Sequence, residues 1–447
     1  MAVAADPTPE VTDLLQRLIR NECVNDGTPE SGHESRSADL LEDYLHAPGV
    51  TLRRFAALPG RESLVVRLEG SDPKAPSLLL MGHTDVVPVN PDGWTHDPFA
   101  AELADGIVWG RGAVDMLTFT ASMAVALKRL LAVGFRPKGT LVYAAVADEE
   151  AAGVYGAEWL VAHEPDAIKS DYVITEMGGA RLPFGRGGPR LPIMVAEKGG
   201  AGLLLRVKGS PSHASMPYGT DNAVVKAAEI VHRLAIYRPP ARIHEVWRLF
   251  VEGAGLSWPA RRALTSARVL ERVLPTLPVG IARFIHGCTH TTIAPTVLHG
   301  GVKINVIADT AEIQVDIRKL PGESQDDVHR MLAHAIGDLW RECEIVREID
   351  RPATVSPTNT PLYEVIAQVS AKLVPDARLV PYIFPAATDA RFLRPEGVVG
   401  YGFGLMSERI PFDKLFSMFH GNDEHVDQES LRLSTELWVQ IARGFLA

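Results

Sequence analysis

Between residues 8 and 197, segments with the 3.6-residue spacing of a helix alternate with short, almost wholly apolar strands, and few folds accommodate that order. "PEVTDLLQRLIR", "SRSADLLEDYL" and "TFTASMAVALKRLLAVG" carry helical spacing, the last of them ending at Gly134. "SLVVRLEG", "SLLLMGHTD", "GTLVYAAVADEE" and "SDYVITEMGG" read as strands, with "GAEWLVAHEP" helical between the last two. Strands apolar on both faces need cover on both faces, so the expected fold class is α/β: a mostly parallel, helix-covered sheet.

The texture changes near Lys198. "AGLLLRVKGSPSHAS" alternates as a half-exposed strand does, a helix follows Asp221-Asn222, and "GVKINVIADTAEIQVDIRKL" reads as two antiparallel strands turning around Ala308-Asp309. "ESQDDVHRMLAHAIGDLW" is helical again. This order predicts a smaller α+β domain, residues 199–352, inserted into a catalytic domain built from 1–198 and 353–447. The insert carries an extra amphipathic helical block at 235–285, expected to pack on it.

With 447 residues and 46% hydrophobic content the chain is ordinary globular material, long enough for two domains. A net charge of −10 without basic runs gives no sign of a nucleic-acid or anionic-membrane partner. The start "MAVAADPTPEVTDLL" lacks a basic-then-apolar leader, no apolar run is long enough to span a bilayer, and three scattered cysteines form no CxxC. A cytoplasmic protein with no membrane partner is expected.

Three of the apolar strands end in residue types that bind metals: His83 and Asp85 after "LLLMG", Asp148, Glu149 and Glu150 after "LVYAAVA", and Glu176 after "DYVIT". In an open α/β sheet such ends converge on one crevice. "GRGAVD" delivers Asp115 to the start of the next helix, and "FHGNDEH" adds His420 and His425. Imidazoles and carboxylates without thiolates suit Zn²⁺ in a hydrolytic site, or Mn²⁺ or Co²⁺. Two histidines and three carboxylates suffice for two metals if one carboxylate bridges, and the adjacent pair Glu149-Glu150 offers a ligand together with a proton carrier.

The set "MGHTDVVP", "GRGAVDM", "ADEEAAGVYGAEWL", "ITEMGG", "GSPSHAS", "KINVIADTAEIQVDIRKLPG", "TDAR" and "HGNDEHV" resembles the M20 metallopeptidases, in order, from about residue 10 to the end. The family includes carboxypeptidase S, aminoacylase-1, acetylornithine deacetylase and succinyl-diaminopimelate desuccinylase. The resemblance implies that His83, Asp115 and Glu176 hold one Zn²⁺ and that Asp115, Glu150 and His420 hold the other. It implies that Asp85 orients His83, and that Glu149 is the general base and then the acid for the leaving amine. It further implies that His213 reaches into a partner subunit's site to steady the oxyanion, that Arg318 holds the substrate's free carboxylate, and that Asn305 positions the scissile carbonyl. His420 is preferred to His425 because the family form is His-x-x-Asp/Asn-Glu. A cis peptide at Asp115-Met116 is also implied.

The chain departs from the family where Met116-Leu117 replace the usual basic residue after the bridging aspartate, and where Ala308 replaces a proline. The function expected is a di-zinc amidohydrolase, a homodimer through its insert, cleaving a peptide or N-acyl-amino-acid bond beside a free carboxylate in a small-molecule substrate. The alternative is a non-catalytic ligand-binding or regulatory protein of the same fold, against which the retained Glu149 argues. "GRGAVD" lacks the last glycine of a dinucleotide loop, and no GxSxG occurs.

Overall fold

A computed structural model describes residues 5–447. Its main sheet has nine strands, and four adjacent ones at its centre are parallel: Leu141–Val146, Leu78–His83, Tyr172–Thr175 and Val399–Gly402. Antiparallel strands flank them, Arg61–Leu68 on one side and Arg190–Glu197 on the other.

Alternation along the strands builds the layers. Leu78 and Leu80 point into the large core beneath helices Thr8–Arg20, Leu117–Ala132 and Gln428–Phe445, while Leu79 and Met81 point into the opposite core beside Ala157–His163. Leu117–Ala132 is buried on nearly every side, which explains a sequence with almost no polar stripe. It lies close to the sheet at Gly82, where an added Cβ would sit 2.5 Å from Thr120 Oγ1. Thr120 donates 2.7 Å to the carbonyl of His83, tying the strand's last residue to the helix.

The chain leaves this sheet after Glu197 and enters a four-stranded antiparallel sheet in the order Thr292–Gly300, Thr310–Lys319, Gly199–Lys208, Cys343–Asp350. Helices Ala223–Ile236 and Gln325–Ile336 cover one face through Ala227, Ile230, Leu234, Val328 and Leu332. Two expectations need correction. Val306–Ile307 does not form a hairpin with Thr310–Lys319; it pairs with Ser212–His213, while Thr310–Lys319 takes Thr292–Gly300 and Gly199–Lys208 as neighbours. The helical block also does not pack on the insert. Val246, Trp247, Phe250 and Val251 of helix Glu245–Gly253 join the main core, against strand Arg378–Phe384. An amphipathic face seeks the largest apolar surface within reach, and here the exposed side of the main sheet supplies it.

Candidate active site

The carboxyl ends of the parallel strands carry the chemistry. His83 is the last residue of its strand, and Glu176 follows Thr175 directly. Glu149 and Glu150 open a single helical turn just past Leu141–Val146, Asp115 stands two residues before Leu117–Ala132, and His420 follows helix Phe412–Met418. The Asp115–Met116 peptide is cis.

Two groups of side chains converge here: His83, Asp115 and Glu176, and Asp115, Glu150 and His420. Within each group the candidate ligand atoms lie within 4.8 Å of one another, and Asp115 belongs to both. Its Oδ1 is 3.2 Å from His83 Nε2 and its Oδ2 is 3.4 Å from His420 Nε2, so one carboxylate faces an imidazole on either side. His420 Nε2 is also 3.1 Å from Glu150 Oε2. His425 is not part of either group; its Nδ1 meets the Asp423 carbonyl at 2.6 Å and its ring lies 4.1 Å from Trp109.

The second nitrogen of His83 settles its tautomer. Nδ1 donates 2.9 Å to the backbone carbonyl of Asp85, leaving Nε2 free to ligate. The Asp85 carboxylate, expected to take that proton, is 3.6 Å away and is otherwise engaged. It accepts from the Glu149 and Glu150 N–H groups, both at 3.1 Å, and from Asn25 Nδ2 at 2.8 Å. Asp85 therefore orients His83 through its backbone and the Glu149-Glu150 turn through its side chain.

Four further residues shape the site, and three of them, Asn25, Glu34 and Arg61, carry no local signal in the sequence. Arg61, buried, pairs with Glu34 at 2.9 Å and with Asp148 at 2.6 Å, and Asn25 reaches Asp148 at 3.1 Å, so the turn bearing Glu149 is held from beneath. Glu424 is buried on the other side. Its Oε1 accepts from the N–H groups of Val114 at 2.6 Å and Asp115 at 2.9 Å, and its Oε2 from Gly112 N–H at 3.0 Å and Arg111 at 2.8 Å. One side chain thus fixes the loop that presents Asp115. The acidic residue in "HGNDEH" was the only cue to it.

The electrostatics show what the residues fit. Burial, together with the charge of Asp115, raises the Glu150 carboxyl to about 8 and the Glu176 carboxyl well above its ordinary range. Burial raises Glu149 to about 7. Burial also pushes Asp115 up, but hydrogen bonds from His420 and His83 outweigh it and hold that carboxyl low. Glu150 Oε1 and Glu176 Oε2 are buried without any hydrogen-bond partner. So much buried, partly unsatisfied carboxylate facing two imidazoles is a donor set for divalent cations.

The remaining candidates stand apart. His213, Asn305 and Arg318 lie on the insert and form no hydrogen bond or ion pair with either group among the described residues. His213 is exposed, and its Nδ1 accepts from Ser215 N–H at 3.2 Å. Asn305 is exposed, its carbonyl accepting from Ala214 N–H at 3.1 Å. Arg318 holds Asp316 in a two-pronged pair at 2.9 and 3.0 Å.

Ligand groups that share a carboxylate, at the carboxyl ends of a parallel sheet and beside a further carboxyl poised near neutrality, define a metal-dependent hydrolase. Comparison with known proteins gives the family. The sequence pattern of peptidase family M20/M25/M40 matches residues 79–444, and the chain belongs to that family. It is 30% identical over 342 residues to "Probable carboxypeptidase S-like 2" of Dictyostelium discoideum, a match covering 74% of this chain and 64% of that protein, less than two thirds of its length. It is 25% identical over 425 residues to aminoacylase-1 of Mus musculus, covering 94% and 91% of the two chains. Among solved structures, an M20 family metallo-carboxypeptidase of Sulfolobus solfataricus superimposes with a TM-score of 0.73 at 16% identity, covering 98% of this chain and 99% of that one.

Proposed function

We propose that this protein hydrolyses the amide bond of a peptide or an N-acyl amino acid beside a free carboxylate, using two divalent metal ions. The observation that carries the reading is the carboxylate of Asp115 shared between two ligand groups, with Glu149 adjoining one of them. His83, Asp115 and Glu176 would hold one ion and Asp115, Glu150 and His420 the other; Zn²⁺ suits this donor set, with Mn²⁺ or Co²⁺ as alternatives. When bound, such ions polarise the scissile carbonyl and make water a nucleophile at neutral pH.

The chain's own groups do the rest. Glu149 takes the proton from the attacking water and passes it to the leaving amine. Asp85 keeps the Glu149-Glu150 turn and His83 in register. Arg318 exchanges Asp316 for the substrate carboxylate, a like-for-like swap of planar partners. Asn305 positions the carbonyl. In His213, the donor on Nδ1 leaves the ring proton on Nε2, the tautomer an oxyanion donor needs.

We assign His213 to the site of a second copy. Around it the insert exposes Met216 at 71%, Tyr218 at 100%, Val302 at 90% and Ile304 at 97%, an apolar surface that a homodimer would cover. No helix among the described residues is long and apolar enough to cross a membrane. The three cysteines are unpaired, which suits a reducing cytoplasm. The domain division 1–198, 199–352 and 353–447 belongs to the same reading.

The test is a turnover screen. Metal-free protein is given Zn²⁺, Mn²⁺ or Co²⁺ and offered dipeptides, N-acyl amino acids and their carboxamides. Metal-dependent release of an amino acid from free acids is expected. No turnover on any of them, with metal bound, would return the protein to a non-catalytic role.

A further inference from the structure

Between residues 258 and 289 the helical block has five arginines, no lysine, no aspartate and a single glutamate, in a chain whose net charge is −10. Pro259 opens the first of three short helices, Trp258–Leu264, and Pro275 and Pro278 separate the second, Ala267–Val273, from the third, Val279–Thr289. Leu264, Leu270, Leu274, Phe284 and Ile285 pack on the main core, and Trp247 Nε1 donates 2.8 Å to the Leu264 carbonyl, fastening the first helix to Glu245–Gly253. Consecutive pieces also pack on one another, so their outer sides adjoin.

What those outer sides present is a mixture of cations and apolar side chains. Helical spacing puts Trp258 with Arg261 and Arg262, Arg268 with Arg272, and Val279 with Arg283; all seven are exposed, as are Val269 and Ile281. Trp258, at 71%, is the one exposed tryptophan of seven, and the Arg262 guanidinium lies over its ring at 5.7 Å from the centroid. Among the described residues none of the five arginines makes an ion pair, whereas Arg242 before them meets Glu323 at 3.1 Å. Glu271, the one acid, is already engaged, accepting from Ala241 N–H at 3.1 Å and meeting His290 Nε2 at 3.0 Å.

We infer that this face docks on a lipid bilayer carrying anionic headgroups. Such a bilayer offers, at successive depths, negative charge for unpaired guanidinium groups and an apolar layer for Trp258, Val269, Val279 and Ile281. A polynucleotide or an acidic peptide segment would satisfy the arginines and leave Val279 and Ile281 in water. The net charge of the chain gives no sign of this face because it averages over all residues, while the arginines are gathered only by helical spacing and by the packing of three helices. The inference stands apart from the proposed hydrolysis, and its test needs no turnover.

The experiment sediments the full-length protein with vesicles of phosphatidylcholine alone, or of phosphatidylcholine with an equal part of phosphatidylglycerol. The protein should pellet with the anionic vesicles only, and less so as salt is raised. Its tryptophan emission should shift to the blue on binding, and Trp258→Phe should lose that shift. Arg261→Gln, Arg268→Gln and Arg272→Gln together should weaken binding by about fivefold for each arginine lost, and Val279→Ser with Ile281→Ser by about tenfold at unchanged charge. All these side chains are exposed, so the variants should keep the thermal stability of the wild type. No pelleting with anionic vesicles, pelleting unaffected by the arginine changes, or a blue shift that survives Trp258→Phe would overturn the inference. Polyuridylic acid and polyglutamate serve as competitors. If either binds more tightly than the vesicles, with an affinity that the serine pair does not change, the face belongs to a polynucleotide or an acidic peptide and the inference equally falls.

Discussion

The ends of the main sheet and the outer face of the insert carry residues of similar type but are finished to different degrees. At the sheet ends the groups that brace the candidate ligands are buried and answered: Asp85 serves two backbone N–H groups, Glu424 three, and Arg61 braces the turn below Glu149. On the insert, His213 and Asn305 are exposed, and Arg318 is occupied by its neighbour Asp316. Metal ligation needs fixed distances and repays preorganisation, whereas groups that meet a substrate or a second copy have to stay accessible until it arrives. On the proposed function, one chain accordingly contains a complete set of metal ligands and an incomplete substrate site.

The sharpest way to break this comparison is Glu149→Gln. The change is nearly isosteric and leaves both ligand groups untouched, so metal content should stay at the wild-type level while kcat falls roughly a hundred- to ten-thousand-fold. Elemental analysis beside single-turnover kinetics checks it. Loss of metal together with activity would make Glu149 a ligand. Next in size is the proposed contribution from across a homodimer. His213→Ala should cost about a hundred- to a thousandfold in kcat, and mixing it with Glu149→Gln subunits should restore activity, because one composite site then holds both groups. If the mixed dimers stay inactive, His213 does not act in trans and the insert face is not a shared site.

Much of the metal side was legible because its cues are local. The run "LLLMGH" gives a strand and its terminal candidate ligand together, and the same holds for "LVYAAVADEE" and "YVITE". What escaped depends on contacts distant along the chain. Arg61 and Glu34 reach Asp148 from 87 and 114 residues away along the chain, and nothing near any of them marks the partnership. The helical block was readable as amphipathic, but an apolar face does not say which surface it will cover. Val306–Ile307 was assigned to the wrong neighbour because alternation fixes which side chains share a face and not which strand lies alongside. The role of Asp85 was divided differently from expectation because its own carbonyl sits nearer the imidazole than its carboxylate does.

Two smaller effects sharpen the contrast. Glu424→Gln replaces one carboxylate oxygen with a donor that opposes the N–H groups of the Asp115 loop. Metal affinity, titrated against a chelator, should fall about ten- to a hundredfold. An unchanged affinity would show that the loop holds its shape without Glu424. On the insert, Arg318→Lys keeps the charge and loses the fork, so kcat/KM for free acids should drop about tenfold while the matching carboxamides change little. An equal drop on both would mean that Arg318 does not read the carboxylate.

The smallest expected effect lies at the seam between the two regions. Lys198 stands between the main-sheet strand Arg190–Glu197 and Gly199–Lys208, the first strand of the insert, and is almost fully buried, its Nζ donating 2.8 Å to the His290 carbonyl and 3.2 Å to Thr292 Oγ1. Among the described residues no carboxylate pairs with it, and burial lowers its pKa to about 7. Below that pH both the folded and the unfolded chain hold the proton, so the cost of burying the ammonium is fully present. Between about 7 and the ordinary lysine value near 10.4 the unfolded chain keeps a proton that the folded chain has released, so stability rises with pH. Lys198→Met removes this titration. The stability of the wild type relative to Lys198→Met should therefore increase on the order of 1 kcal/mol per pH unit from pH 7 to 9, read from urea unfolding of both proteins at each pH. A difference that stays flat across that range would mean that Lys198 remains charged in the fold, with a counter-charge that the seam must then provide.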